Sequence, residues 1–370
     1  MNNDKVHSSQ YELARTFSSV RLLGPPMSDK LIELVCHLFS PDEAEVARHL
    51  PFYYPKPLEK IAKKAGREPA SIRPVLDTMA ERRVIYGGAK GYSLLPLIPG
   101  MFEYMLMDGS DSDWHREYGR LVSELFATGY ARDYARRKAP AIRNIPVKGA
   151  LDERSLVAHS GLVDEMLEAH TEFAVLNACQ CRQSARFSGR ECEMSAPEDG
   201  CLVFGGFSRN SEERGNGRLV DREEMREIVA ERYEKKLVFL TGNVAPESPN
   251  AICTCCSCCC HYLEYLNHYG GFVSLAEPRY KAAVDADLCN LCGECIEVCP
   301  TGAHRLTEDA HQLDRDKCIG CGNCVTACST GALTMQENPS YQAPSRSFTR
   351  LGLRLLPGVS LSGLEARLKR

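Results

Sequence analysis

Nineteen cysteines in a chain of 370 residues constrain the fold more than any other feature of the sequence. Cys36 stands alone before residue 179. Four lie between Cys179 and Cys201, six between Cys253 and Cys260, and eight between Cys289 and Cys328. Disulfide frameworks belong to short secreted chains. This count is odd, and the opening segment from Met1 to Phe17 lacks the apolar centre of a secretory signal. No stretch approaches the roughly 18 consecutive apolar residues of a spanning helix. The expectation is therefore a cytoplasmic chain in a reducing compartment, whose sulfur serves metal or redox chemistry. A 44% hydrophobic and 25% charged composition argues against a disordered or collagen-like chain. The net charge of -4 provides no global pull toward nucleic acid.

The strongest pattern is C-x2-C-x2-C-x3-C-P at Cys289, Cys292, Cys295 and Cys299, repeated without the proline at Cys318, Cys321, Cys324 and Cys328. Three thiolates two residues apart wrap a tight loop around one iron-sulfur cube, and the fourth enters a helix and points to the other cube. This assigns Cys289, Cys292, Cys295 and Cys328 to one 4Fe-4S cluster. Cys318, Cys321, Cys324 and Cys299 take the second. Gly293, Gly320 and Gly322 suit the positive φ such loops need. A zinc site is the weaker alternative, because zinc hooks come as C-x2-C pairs separated by a spacer. The region resembles the bacterial-type two-cluster ferredoxins, including residues 299 to 303 and 328 to 332. Ser329 departs from the family by standing where proline is usual. The resemblance implies low-potential, one-electron transfer between partners.

The middle cysteines match no standard hook. Cys179, Cys181, Cys192 and Cys201 follow C-x-C-x10-C-x8-C, and Cys253, Cys255, Cys256, Cys258, Cys259 and Cys260 crowd together before His261. The apolar run ending at Asn177 reads as a strand, which would place Cys179 and Cys181 on one face at its terminus. Arg182 would offset thiolate charge. The preferred reading is a further iron-sulfur centre, one cluster or two, drawn from both groups. Zinc and a set of buried reduced thiols are the alternatives. His261 and His268 read as cap or core residues of a helix from 258 to 267, and Asp221 as the N-cap of the helix that follows it. Gly205-Gly206 and Gly215-x-Gly217 follow no recognisable strand into a helix, so no dinucleotide fingerprint is read. As a whole the chain resembles large ferredoxin-like iron-sulfur proteins of anaerobic bacteria.

Residues 28–100 show two successive helical patterns, a turn at Gly66 and a Gly-rich hairpin from Val84, and resemble a winged-helix domain. Between Lys56 and Gly91 nine Lys or Arg face four acids. That balance permits phosphate contacts, but Pro69 and Pro74 sit early in the would-be recognition helix, so protein docking is preferred over DNA binding. Asp111 to Lys138 reads as a long amphipathic helix with Trp114, Tyr118, Leu121, Leu125 and Tyr134 inward, and Arg132, Arg136, Arg137 and Lys138 solvated. The tail from 340 carries Arg346, Arg350, Arg354, Arg367, Lys369 and Arg370, and Pro357 and Gly358 are expected to interrupt a long helix there.

The expected fold is α+β: a winged-helix-like domain at 28–100, an α/β cysteine-bearing domain at 101–270, a ferredoxin-like two-cluster domain at 280–337 and a basic tail at 340–370. The expected function is electron transfer to redox partners, an oxidoreductase or flavoprotein, through two 4Fe-4S clusters and a further centre. A redox-sensing transcription regulator and a catalytic oxidoreductase subunit are the rivals.

Overall fold

A computed structural model describes residues 6–19, 24–52, 54–129, 140–151, 162–248 and 251–368. Arg132, Tyr134, Arg136, Arg137, Lys138, Lys369 and Arg370 lie outside them. Helices and sheets are both present, and the chain divides into two compact units: residues 1–134 with 183–190 and 359–370, and residues 135–182 with 191–358.

The first unit is mainly helical. Ser28 caps the helix Asp29–Leu38 by accepting from the Leu31 N–H, and Ser40 opens Pro41–Ala47 with a capping box closed by Glu43. Leu58–Ala65 ends on Gly66 at φ 64°, a left-handed position suited to glycine. Pro69–Glu81 follows with Pro69 at its start, where a missing N–H costs nothing. Strands β1 (Tyr86–Gly88) and β2 (Gly91–Ser93) pair antiparallel. Three of the nine basic residues are already engaged here: Arg67 with Asp42, Arg82 with Glu43 and Arg83 with Asp108. The helix Asp113–Ala127 buries Tyr118, Leu121 and Leu125.

The second unit is built on a six-stranded sheet of β3 (Ile142–Ile145), β4 (Phe173–Leu176), β5 (Leu202–Phe204), β6 (Gly217–Val220), β7 (Val238–Gly242) and β8 (Ala251–Cys255). Their order is β3-β7-β8-β5-β4-β6, and every pairing is antiparallel. Alternation along the strands splits the core. Phe173, Val175, Leu202, Phe204, Phe239 and Ile252 pack with the helices Val163–Ala169 and Arg222–Glu234. Val238 and Leu240 point the other way, onto Leu263 and Leu266 of the helix His261–Tyr269 and onto Ile319 and Cys321. Cys253 and Cys255 border that second core. Asp221 caps Arg222–Glu234 through the Glu224 N–H at 2.8 Å. Asp221→Ala is expected to lower stability by about 1 kcal/mol in urea unfolding.

A smaller layer follows. Strands β9 (Tyr280–Val284) and β12 (Leu333–Glu337) pair antiparallel, as do β10 (His304–Leu306) and β11 (His311–Leu313). Short helices Glu294–Glu297 and Asn323–Ala327 complete a duplicated strand–helix–strand plan.

Four expectations need correction. The helix read as Asp111 to Lys138 runs only Asp113–Ala127 and ends in a turn where Gly129 takes φ 71°. The run Leu202–Phe204 is a strand, and it leads through Gly205 at φ 61° into the helix Gly206–Glu213. Its antiparallel neighbours still differ from the parallel sheet of a dinucleotide fold. The helix read from 258 begins at His261, because residues 257–259 form a turn. The tail helix Phe348–Leu368 runs through Pro357. A proline removes one backbone donor, and the ladder resumes on either side of it. No helix among the described residues is long and apolar enough to cross a membrane.

Candidate metal centres

The duplicated motif places its eight thiols in two groups, taken crosswise. Cys295 lies within electrostatic reach of Cys289, Cys292 and Cys328, and Cys321 within reach of Cys299 and Cys318. Cys324 joins the second group. Local geometry explains the crossing. Gly293 at φ 86° and Gly322 at φ 83° turn each loop into its short helix, and the last cysteine leaves that helix toward the other loop. The repeat extends to the hydrogen bonds. Cys299 Sγ accepts from the Ala303 N–H at 3.3 Å and lies 3.8 Å from the Thr301 hydroxyl, and Cys328 Sγ lies 3.5 Å from the Thr330 hydroxyl. The Ala282 N–H donates to Cys318 at 3.4 Å.

These residues fit an iron-sulfur cluster. Cys299, Cys318, Cys321 and Cys324 all line one common space, a soft-donor set suited to iron. Burial pushes the Cys321 thiol up to about 12 and raises Cys324 as well. Bare thiolates are costly there, and bonds to iron would stabilise them.

Two histidines add a feature the spacing does not announce. His311 lies 3.7 Å from both Cys289 and Cys295, and His304 Nδ1 is 2.9 Å from His311 Nε2. Burial lowers the pKa of both rings, His304 to about 4. A neutral His311 has a single N–H, and when His304 Nδ1–H donates to its Nε2 that N–H faces Cys289. The hairpin β10–β11 creates this contact by setting Leu306 opposite His311 and folding His304 back over it.

The sheet assembles the middle cysteines. In the antiparallel order, the end of β4, the start of β5 and the end of β8 lie at one end of three adjacent interior strands. Cys201 therefore meets Cys253, with the sulfurs 3.3 Å apart. From there thiol contacts run through Cys253 to Cys255, Cys255 to Cys260, Cys260 to Cys181 and Cys181 to Cys179. Cys179 and Cys181 adjoin for a different reason from strand alternation. The strand ends at Leu176, and Cys181 sits in the first turn of the helix Gln180–Phe187. Cys192, Cys256, Cys258 and Cys259 gather separately. Cys36 lies apart in the first unit, its thiol pushed up by burial.

Arg182 is buried and donates to Thr254 O at 3.2 Å and Asp199 O at 2.8 Å. Burial opposes its charge, yet the sulfurs of Cys179 and Cys256 carry its pKa upward. A second arginine escaped the sequence reading. Arg232, 0% exposed, donates to Gly200 O at 3.0 Å, to the Thr254 hydroxyl and to Asp199 at 2.7 Å. It sits on a helix that looks solvated in sequence. The charged run around it gives no sign of burial.

Comparison with known proteins places the smaller layer. Residues 281–334 match the family described as a 4Fe-4S dicluster domain. This segment is an iron-sulfur, ferredoxin-like domain. No curated protein and no solved structure matches the chain.

Proposed function

We propose that the protein passes single electrons between redox partners, using two 4Fe-4S clusters in the dicluster domain and a further iron-sulfur centre at the end of the six-stranded sheet. One arrangement carries this reading: the three thiol groups follow one another through shared apolar cores. Cys295 and Cys324, from different groups, pack in one core with Ala282 and Leu333. Cys321 and Ile319 pack in the next with Cys260, beside Cys253 and Cys255. Clusters bound there would supply reversible one-electron chemistry. The protein's own part is to keep the sulfurs dry, to aim N–H groups at them, and to set Arg182 against the accumulated negative charge.

Residues 28–100 are read as a winged-helix-like module that docks a partner protein, an oxidoreductase or flavoprotein, in a reducing cytoplasmic compartment. Engagement of Arg67, Arg82 and Arg83 by carboxylates of the same unit leaves a smaller basic surface than the composition suggests, which favours docking over DNA binding.

Anaerobic purification with iron, sulfide and zinc quantification tests the reading, with EPR of the reduced protein. About eight irons with matching sulfide are expected from the dicluster domain alone, and about twelve with one further cubane. Fewer than about eight, with zinc in the difference, would sink it. So would sequence-selective DNA binding that changes with oxidation in a gel-shift series.

A further inference from the structure

The ten middle cysteines fall into two sets that adjoin where Cys256 comes within electrostatic reach of Cys179. Six run in a chain from Cys201 to Cys179. The other four, Cys192, Cys256, Cys258 and Cys259, have their sulfurs all within 4.8 Å of one another. Cys192 and Cys258 are 3.7 Å apart, and Cys258 and Cys259 are 3.6 Å apart.

That spacing selects among metal centres. A single tetrahedral ion bound at about 2.3 Å by each thiolate sets its ligand sulfurs about 3.8 Å apart. A cubane spreads its four thiolates over four different irons, at the corners of a larger tetrahedron. The quartet has the smaller geometry as a closed set, all four sulfurs mutually within 4.8 Å, whereas the six-thiol chain has a close pair at Cys201 and Cys253 but no such set among the described residues.

The backbone around it is arranged for the same purpose. Residues 257–259 turn sharply, and the Cys259 N–H donates to Cys256 Sγ. The Cys260 N–H closes the turn onto Cys256 O at 3.2 Å. Cys192 comes from a distant loop, and Met194 of that loop fixes its approach: Met194 Sδ accepts from both the Ser257 N–H and the Ser257 hydroxyl at 3.3 Å. Cys256 and Cys259 are buried, and Cys192 and Cys258 half-buried. Four protein ligands fill a tetrahedral shell and leave no open position, which is the signature of a structural ion.

We propose that Cys192, Cys256, Cys258 and Cys259 hold one mononuclear tetrathiolate ion, zinc or iron, distinct from the iron-sulfur centres. The ion ties the loop carrying Cys192 to the turn that follows β8. Arg182, buried close to both Cys179 and Cys256, balances part of the excess negative charge of four thiolates on a divalent ion. The inference is independent of the electron-transfer reading, since it concerns cysteines outside the dicluster domain and outside the six-thiol chain.

The test uses the full chain, purified anaerobically, as wild type, Cys192→Ser and Cys258→Ser. Each variant is expected to lose about one metal atom per chain with acid-labile sulfide and the EPR of the reduced clusters unchanged. A lost zinc identifies the ion as zinc, and a lost iron without sulfide identifies it as mononuclear iron. If either substitution prevents folding, the wild-type chain produced in cobalt-supplemented medium gives the second measurement. A tetrahedral cobalt–thiolate spectrum is expected. Loss of iron and sulfide together in either variant would overturn the proposal. So would wild-type protein whose metal is all iron matched by sulfide, or cobalt-grown protein with no thiolate charge-transfer band.

Discussion

Replacing Cys299 with alanine is expected to empty the thiol group built mainly from the second motif, although Cys299 belongs to the first. The thiols near Cys321 are Cys299 and Cys318, and Cys299 also faces the space they line with Cys324. The variant should lose about four irons and about four sulfides per chain, while the signal of the group at Cys289, Cys292, Cys295 and Cys328 persists. Cys328→Ala should produce the reciprocal loss. Iron quantification with EPR of the reduced protein reads both variants. Retention of both signals in Cys299→Ala would refute crosswise ligation, as would loss confined to the first group.

The second large effect concerns stability. Arg232→Met removes a guanidinium with no solvent exposure that joins Gly200, Thr254 and Asp199. Breaking a fully buried pair costs about 3–5 kcal/mol. Asp199 keeps 34% side-chain exposure, so water can take over part of the lost interaction and the expected loss is about 2–3 kcal/mol. Burial lowers the pKa of Arg232, and Asp199 works against that fall, which identifies Asp199 as the partner that keeps it charged. Urea unfolding of the anaerobically purified chain measures the change. A difference under about 0.5 kcal/mol would show the network to be dispensable, as for a surface substitution.

The dicluster segment was legible because its chemistry is local. Two short loops carry their own glycines, cysteines and N–H donors, so spacing alone conveys the geometry, and the family match covers the same stretch. The helices of the first unit were legible through their apolar spacing and the turn at Gly66, whereas the cap at Ser28 was not read. The middle cysteines were not. Which thiol meets which depends on the register of β5 against β8, where Leu202 faces Ile252, and no local pattern encodes that pairing. Cys179-x-Cys181 looked like a strand end because the apolar run before it is a strand, but the helix starting at Gln180 is only eight residues long and too polar overall to declare itself. Arg232 was hidden by the opposite effect, a polar sequence on a helix with one polar residue turned inward.

The antiparallel sheet has a consequence for how the molecule is made. Cys179, Cys201, Cys253 and Cys260 come from segments far apart in the chain, and they meet only when β4, β5 and β8 have paired. Contacts between such distant segments form late in folding, because closing long loops costs entropy before any contact rewards it. The dicluster motifs exchange their last cysteines with each other, but all within residues 289–328, a shorter span to close. On the proposed reading, the carboxyl-terminal ligands are expected to become competent before the thiols at the end of the six-stranded sheet, which meet only in the nearly finished fold.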